Sequence, residues 1–304
     1  MLLKGEKFMS IQFRNYTKES GITEDYYKVR DFFVQLGSTH FTYARWDWMI
    51  THDYLEKNAV GKIGIWEDSN DIVGVSTFDV QLGTAYCLTF PEYNYLKKDM
   101  LLYAKDNLSK DEKFGIVVPD SDIYFQDIAS DLGFIATVNK EGDAIFYLDK
   151  TSTEFSLPEG FKITTMKETY DLYQYYRVLW KGFNHELNGE GEFTFSKEKE
   201  KEGNNQMKRP NVDLDLKIAI VAPDGNFVSY CGMWYDKEKD FAVIEPVATD
   251  PEYRRMGLGK AAVLEGIRRV GEQGAKKVLV GSSQQFYYSI GLRPFSTATK
   301  WRLK

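Results

Sequence analysis

Cysteine and histidine are scarce in this sequence. Its 304 residues include two cysteines, Cys87 and Cys231, and each lies inside an apolar, strand-like run. This usage is typical of buried, reduced thiols and argues against the disulfide framework of a small secreted protein. The three histidines, His40, His52 and His185, lie too far apart in sequence to indicate a local metal cluster, so we predict no metal site.

Long apolar runs and an excess of positive charge are also lacking. No run approaches the ~20 residues of a membrane span, and the opening MLLKGEKFMS holds no apolar stretch long enough for a signal peptide. The net charge of -6 argues against a nucleic-acid or anionic-membrane surface, because binding phosphate groups over a whole face requires a basic field. We therefore expect a cytoplasmic protein whose partners are small molecules or basic groups, not nucleic acid or membranes.

An internal repeat divides the chain into two halves. Pro91-Glu92-Tyr93 recurs as Pro251-Glu252-Tyr253. Each copy follows a hairpin-like pair of apolar runs and precedes a helical stretch, an apolar strand and a short aromatic helix that ends in glycine. We predict two copies of an α+β unit, each an α/β mixed sheet flanked by helices, over residues 1–150 and 155–304. The join lies near DKTSTEFSLPEGF, a segment of turn-forming residues.

A long helix is predicted in the second half, after the sequence DPEYRRMGLGK of residues 250–260. Its apolar positions share one face at helical spacing: Ala261, Leu264, Ile267 and Val270. We expect Gly271 and Gly274 to end this helix.

The residues before this helix predict a site for an anion. Backbone N–H groups in the first turn of a helix have no intrahelical partners, and the helix dipole adds partial positive charge there. Gly257 and Gly259 remove side chains that would keep a bulky anion away from these groups, and two arginines add charge. The natural occupant of such a cradle is a pyrophosphate.

Several known patterns compete for this segment. A nucleotide-binding Walker loop is disfavoured because Gly259-Lys260 is followed by Ala261 and lacks the required earlier glycine. Gly257-x-Gly259-x-x-Ala262 fits the dinucleotide fingerprint formally, but the acidic residue expected about 20 positions later is missing. A plain surface turn that caps the helix stays open as a structural alternative.

A family resemblance gives a further interpretation. The segment VATDPEYRRMGLGKAAVLEG resembles the acyl-CoA signature of the GNAT acetyltransferase superfamily, Arg/Gln-x-x-Gly-x-Gly/Ala, at Arg254, Gly257 and Gly259. QQFYYSIGLRPF is similar to the closing motif of that superfamily. The resemblance implies two GNAT-like acyl-CoA acyltransferase domains in tandem: an acetyltransferase domain over residues 155–304, and a degenerate copy over residues 1–150 that is structural and shapes the acceptor site. The degenerate copy has Tyr95 and Lys97 where the other has Arg255 and Gly257.

The resemblance also implies how acetyl-CoA, the acyl donor, is bound. In the strand FAVIEPVAT, Pro246 cannot donate to a ladder, so we expect an interruption of pairing beside it. In GNAT folds this strand carries a bulge and splays from its neighbour, and the pantetheine arm enters the gap. The implied cofactor-binding residues are Val247, Ala248, Thr249, Arg254, Arg255, Met256, Gly257, Leu258, Gly259 and Lys260.

Two side chains are candidates for the chemistry that the resemblance implies. Glu245 lies where many GNAT enzymes keep a general base, and its alternative is a solvated or ion-paired strand residue. Tyr287 lies four positions before Gly291, from where a phenol can protonate the departing thiolate; its alternative is a core aromatic. Cys231 has no histidine or other base close in sequence, which favours direct transfer in a ternary complex over a covalent acyl-enzyme.

The implied function is N-acetylation of a small-molecule or peptide amine, and the alternative is a non-catalytic acyl-CoA-binding sensor or scaffold. Aminoglycoside, polyamine, peptide and amino-acid acceptors all stay open. The acidic residues Glu186, Glu190 and Glu192 can attract an amine or form a solvated loop face. SKEKEKEG, just after them, indicates an exposed helix or a lid.

Overall fold

The computed structural model describes residues 11–52, 54–111 and 113–304. The segment MLLKGEKFMS, in which we predict no signal peptide, lies outside the described residues. The chain forms two compact units. The first comprises the described residues up to Gly142 together with Ser296–Lys304, and the second comprises Asp143–Phe295. Each unit is a mixed sheet with helices, so the predicted α+β class is confirmed.

The sheet of the first unit begins with antiparallel strands. Its strands are β1 (Gln12–Asn15), β2 (Gly64–Asp68), β3 (Asp71–Asp79), β4 (Gln81–Thr89), β5 (Gly115–Pro119) and the first part of β6 (Phe134–Tyr147). Its helices are α1 (Glu24–Leu36), α2 (Tyr43–Met49), α3 (Lys97–Asn107) and α4 (Ile123–Asp131). Strands β1 to β4 pair antiparallel in order, and β4 pairs parallel with β5. The predicted hairpin in this half is β2–β3 and is confirmed.

The second unit repeats this order of strands. Its strands, after the last part of β6, are β7 (Lys162–Thr165), β8 (Lys217–Val221), β9 (Phe227–Tyr235), β10 (Phe241–Thr249) and β11 (Lys277–Val280). The final strand of the chain, β12 (Arg293–Leu303), starts in this unit and continues in the first. Its helices are α5 (Leu172–Gly182), α6 (Lys197–Met207), α7 (Leu258–Glu272) and α8 (Gln285–Ser289). Strands β7 to β10 pair antiparallel in order, and β10 pairs parallel with β11. The equivalent hairpin, β8–β9, is confirmed as well.

The last strand of each repeat begins in one compact unit and ends in the other. Residues Ala144–Tyr147 of β6 pair antiparallel with β11 in the second unit, and Ala298–Arg302 of β12 pair antiparallel with β5 in the first. The units therefore divide at Gly142 and Phe295, whereas the predicted domains, 1–150 and 155–304, keep each repeat whole. Ala144 and Phe146 are fully buried in the core of the second unit.

Asp120, just after β5, forms hydrogen bonds with β12 within the first unit. Its carboxylate accepts hydrogen bonds from Thr297 and Thr299, the latter at 2.5 Å, and pairs with the Lys140 ammonium at 2.9 Å. Partial burial opposes the charge, but these hydrogen bonds outweigh it and lower the pKa of Asp120 to about 2. The folded-state pKa is depressed, so this stabilisation is present above the ordinary range of a carboxyl group and is lost as the pH falls through about 2.

Helix α7 packs on the sheet of the second unit as its periodicity predicts. The four positions of its apolar face are at most 1% exposed: Ala261, Leu264, Ile267 and Val270. The sequence predicts that Gly271 and Gly274 end this helix, and the prediction is wrong for Gly271, because α7 continues through Gly271 to Glu272. A side chain at Gly271 would place its Cβ 2.4 Å from a methyl carbon of Leu148, so this glycine permits a close approach, and the helix ends before Gly274.

None of the helices in the described ranges is both long enough and apolar enough to cross a membrane.

Candidate active site

Strand β10 carries the predicted interruption. Its register with β9 shifts between Ile244 and Val247, so Glu245-Pro246 forms a bulge. The indole of Trp234 donates a hydrogen bond of 2.8 Å to the Glu245 carbonyl and fixes the bulge from the neighbouring strand. The bulge predicted from Pro246 is therefore confirmed.

Beyond the bulge, β10 parts from β11. The parallel pairing runs from Phe241 to Val243, and no pair follows it among the described residues. On its other side β10 keeps its partner β9, where Val247, Ala248 and Thr249 pair with Cys231, Tyr230 and Ser229. One edge of Val247–Thr249 thus faces a gap between two parallel strands. Such a gap exposes backbone groups that can bind an extended, amide-containing chain.

The first turn of α7 is open and lacks a side-chain cap. Gly257 at its N-cap is left-handed, with φ 82°, and Arg255 before it has φ 67°. No atom outside its chain neighbours lies within 4 Å of the position that a Cβ of residue 257 would take. The first intrahelical bond is donated by Ala261, so the N–H groups of residues 258–260 precede it. This arrangement, which we call the cradle, can hold an anionic group at the positive end of a helix.

A cavity of about 480 Å³ lies at this helix start. It is lined on one side by Met256, Gly257 and Lys260, and on the other by Glu154–Ser156. The second group belongs to the segment that the sequence indicates only as a linker. Its composition of turn-forming and polar residues gives no signal of a site, since its place beside α7 depends on tertiary structure.

The Arg254 side chain binds protein groups in this structure. Its guanidinium donates to the Thr249 carbonyl at 3.1 Å, to the Gly182 carbonyl at 2.9 Å and to the Asn184 side chain at 2.7 Å. These bonds join the cradle segment to the end of β10 and to the loop after α5. Leu258, another implied cofactor contact, is buried, so its contribution to such a site is limited to its backbone.

The equivalent position in the first unit has a different structure. There a 3-10 turn over Pro91–Leu96 continues directly into α3, and no residue between them has a positive φ. Lys97, which stands where the second unit has Gly257, is buried. Its ammonium contacts the Asp122 carboxylate and lies 5.4 Å from the centre of the Phe125 ring. A buried, ion-paired side chain therefore takes the place of the open turn.

Tyr287 lies on α8, next to Phe286 in sequence. Helix α8 packs against the start of α7, since a Cβ added at Gly259 would lie 3.4 Å from the Phe286 ring. The Tyr287 side chain is 7% exposed. Burial first, and then the neighbouring Cys231 and Glu245, raise the pKa of its phenol above the ordinary value. Tyr287 is thus a protonated phenol at neutral pH, as a proton donor must be, and Glu245 is close enough to act on it electrostatically.

Cys231 lies on β9 opposite Val247 and is a free, fully buried thiol. Burial raises its pKa to about 12, so it is protonated at neutral pH and is a poor nucleophile. Its nearest polar contact is the sulfur of Met233, at 3.7 Å. The prediction of buried, reduced cysteines is confirmed for Cys87 and Cys231.

Two of the three acidic residues in the loop after α5 contact basic side chains of the same region. The Lys181 ammonium lies 3.5 Å from Glu186, and the imidazole of His185 lies 2.9 Å from Glu190. The segment SKEKEKEG, which the sequence indicates as an exposed helix or a lid, forms the N-cap and first part of helix α6. Within the described ranges, no group of three or more His, Cys, Asp or Glu side chains is arranged to hold a metal ion.

The glycine segment of residues 250–260 lies inside a match to a known protein family. The sequence model of the acetyltransferase (GNAT) family matches residues 172–292, which include α5, the bulged strand, the cradle and α8. Residues 172–292 belong to the GNAT family. Members of this family use acetyl-CoA as a substrate. A comparison with curated proteins finds no match to the sequence.

Solved structures extend the likeness to the whole chain. A tandem GNAT protein from the clavulanic acid biosynthesis pathway has a TM-score of 0.60 at 11% identity, over 96% of this chain and 98% of that one. A GCN5-related N-acetyltransferase from Sphaerobacter thermophilus has a TM-score of 0.57 at 14% identity, over 96% and 95%. A GNAT-family acetyltransferase from Colwellia psychrerythraea has a TM-score of 0.52 at 11% identity, over 80% and 85%. At these identities the likeness shows the fold, and the predicted tandem GNAT fold is confirmed.

Proposed function

We propose that the chain is an acetyl-CoA-dependent N-acetyltransferase that acetylates an amine of a small molecule or peptide by direct transfer. The observation that supports this most strongly is the uncapped start of α7, opened by the left-handed Gly257 beside a strand that has parted from its neighbour. A pyrophosphate fits the first feature, and the amide-containing arm of acetyl-CoA fits the second. The free, buried cysteines support a cytoplasmic location.

The proposed roles of the cofactor-binding residues follow from these two features. The N–H groups of residues 257–260 bind the pyrophosphate, and Lys260 adds positive charge at the cavity. Backbone groups of Val247–Thr249 bind the pantetheine arm along the open edge of β10. Arg254 acts as a positioning residue, since its guanidinium is bound to the loop after α5 and to β10.

The proposed reaction forms a C–N bond and breaks a C–S bond. Glu245 takes the proton of the acceptor ammonium, directly or through a water, so that the amine nitrogen can attack the thioester carbonyl. Negative charge on the carbonyl oxygen is stabilised by a backbone N–H of β10. As the intermediate collapses, Tyr287 donates its proton to the departing sulfur. The high pKa of Cys231 favours this direct route over an acyl-cysteine intermediate.

The first unit has a structural role in this proposal and binds no acetyl-CoA. Lys97 and its partner Asp122 fill the place where the second unit has the cradle.

A panel of amines tests the proposed function. With acetyl-CoA and purified protein, we expect release of free CoA that depends on the amine supplied, measured as new thiol. If a broad panel gives no amine-dependent CoA release although acetyl-CoA binds, then the acetyltransferase proposal fails and the sensor alternative replaces it.

A further inference from the structure

Three aromatic rings in the second unit surround one ammonium group. The Nζ atom of Lys199 lies 5.1 Å from the ring centre of Tyr176, 5.6 Å from that of Trp180 and 5.8 Å from that of Phe193. Each distance is within the range of a cation–π interaction. We name Tyr176, Trp180 and Phe193 the aromatic cage.

The cage is held in shape by contacts that do not involve Lys199. The indole of Trp180 donates a hydrogen bond of 3.2 Å to the Gly191 carbonyl and stacks on His185 with ring centres 4.3 Å apart. The backbone N–H of Phe193 donates to Glu186. Because Tyr176 and Trp180 are one helical turn apart on α5, their side chains lie on the same face of that helix. The Trp180 ring and the Phe193 backbone are therefore held by groups other than Lys199.

The Lys199 ammonium interacts with the cage through cation–π contacts and has no carboxylate partner in the described ranges. It lies on α6, in the run Lys197 to Glu202 where lysine and glutamate alternate, yet it forms no ion pair with any of the described residues. Its ammonium is thus the internal equivalent of a cationic ligand. A ligand with the same charge can replace it without leaving a carboxylate unpaired.

The cage lies next to the proposed cofactor-binding strand. Helix α5, which carries two of the three rings, ends at Gly182 against β10, where an added Cβ would lie 2.7 Å from the Ala248 side chain and 2.8 Å from the Thr249 nitrogen. The Gly182 carbonyl also accepts a hydrogen bond from Arg254 of the cradle segment. The same short helix thus connects the cage with the proposed acetyl-CoA site.

We propose that the aromatic cage is the subsite for an ammonium group of the acceptor, and that Lys199 occupies it until the acceptor binds. An aromatic cage stabilises the charged form of an amine, whereas the amine that attacks a thioester must be neutral. The caged ammonium is therefore not the group that reacts. The acceptor carries a second cation beside its reacting amine, as a diamine or a basic peptide does. This inference rests on the proposed N-acetyltransferase function.

Calorimetric titration with choline, in the absence of acetyl-CoA, tests the subsite without requiring catalysis. If Lys199 fills the cage nine-tenths of the time, its removal in Lys199→Ala tightens choline binding about tenfold. Lys201→Ala removes an exposed lysine of the same helix and is expected to bind choline as the wild type does. The neutral isostere 3,3-dimethylbutan-1-ol is expected to bind neither the wild type nor Lys199→Ala measurably, since it carries no positive charge to interact with the rings.

Ring deletions complete the test. In the Lys199→Ala background, Trp180→Leu and Phe193→Leu should each weaken choline binding roughly two- to fivefold, with folding checked by circular dichroism. Two independent rings keep the test valid if one variant does not fold. Equal choline binding by wild type and Lys199→Ala, or equal affinity for choline and its neutral isostere, would overturn the proposal.

The acceptor class is tested in the CoA-release assay with 1,4-diaminobutane and butylamine. We expect a lower KM for the diamine, and we expect Trp180→Leu to raise the KM of the diamine but not that of butylamine. Equal KM values in the wild type would overturn the second-cation assignment. Choline binding with no CoA release from any amine would instead contradict the proposed function and leave the cage as an ammonium site.

Discussion

Replacing Gly257 by leucine is expected to weaken acetyl-CoA binding about a hundredfold. The residue adopts φ 82° and has open space where a Cβ would lie, so the new side chain would project into the cradle that the pyrophosphate is proposed to occupy. Loss of two hydrogen bonds to a charged phosphate, at about 1.5 kcal/mol each, corresponds to a roughly hundredfold weaker Kd. Isothermal calorimetry with acetyl-CoA measures it.

Gly225 provides a matched control for the backbone strain of this substitution. It has φ 88°, it also has no atom within 4 Å of an added Cβ, and it lies in the turn of the β8–β9 hairpin. Both leucine variants are expected to lose about 1 kcal/mol of stability from the left-handed conformation. Only Gly257→Leu is expected to lose affinity for acetyl-CoA. Equal loss of affinity in both variants, or in neither, would contradict the assignment of the cradle.

Tyr287→Phe is expected to lower kcat about 10²- to 10⁴-fold, the usual contribution of a general acid, while the Kd for acetyl-CoA stays unchanged. The substitution removes the hydroxyl and keeps a ring of the same size in a buried position. Steady-state CoA release with the preferred amine measures kcat, and calorimetry measures the Kd. Tyr288→Phe, the same change at the neighbouring residue of α8, is expected to retain the wild-type kcat.

The pH dependence of the rate gives a second test of Tyr287. A general acid must be protonated, and the pKa of this phenol is raised by burial, so its ionisation should not lower the rate below the ordinary tyrosine pKa of 10. Wild-type protein is therefore expected to keep its rate on the alkaline side up to about pH 10. A decrease of the rate below pH 10 that is absent in Tyr287→Phe would contradict this expectation, because it would mean that the phenol ionises at a lower pH than its burial implies.

The parts of the fold that depend on local pattern can be predicted from the sequence. The four buried positions of α7 repeat at helical spacing, Pro246 interrupts the pairing of β10 with β9, and the glycines at the start of α7 leave the first turn of that helix open. In each case one residue type has a strong conformational or burial preference that short-range neighbours do not override.

Features that depend on distant partners could not be predicted in this way. An apolar run predicts a strand but not which strand it pairs with, so the sequence alone does not predict that β6 pairs with β11 or that β12 pairs with β5. Arg254 is a signature arginine by its position, yet its guanidinium binds Gly182 and Asn184, residues far away in sequence. The aromatic cage likewise joins α5, the loop after it and α6, and the sequence shows there only a charged run.

The number of acetyl-CoA molecules bound per chain tests most directly the claim that one repeat kept the cofactor site and the other lost it. In the second unit Gly257 leaves the cradle open, and in the first the buried Lys97 and Asp122 fill the equivalent place. Calorimetry on the full chain is expected to give one acetyl-CoA per chain, with the affinity of that single site about a hundredfold weaker in Gly257→Leu. Two equal sites per chain, or no binding at all, would contradict this account.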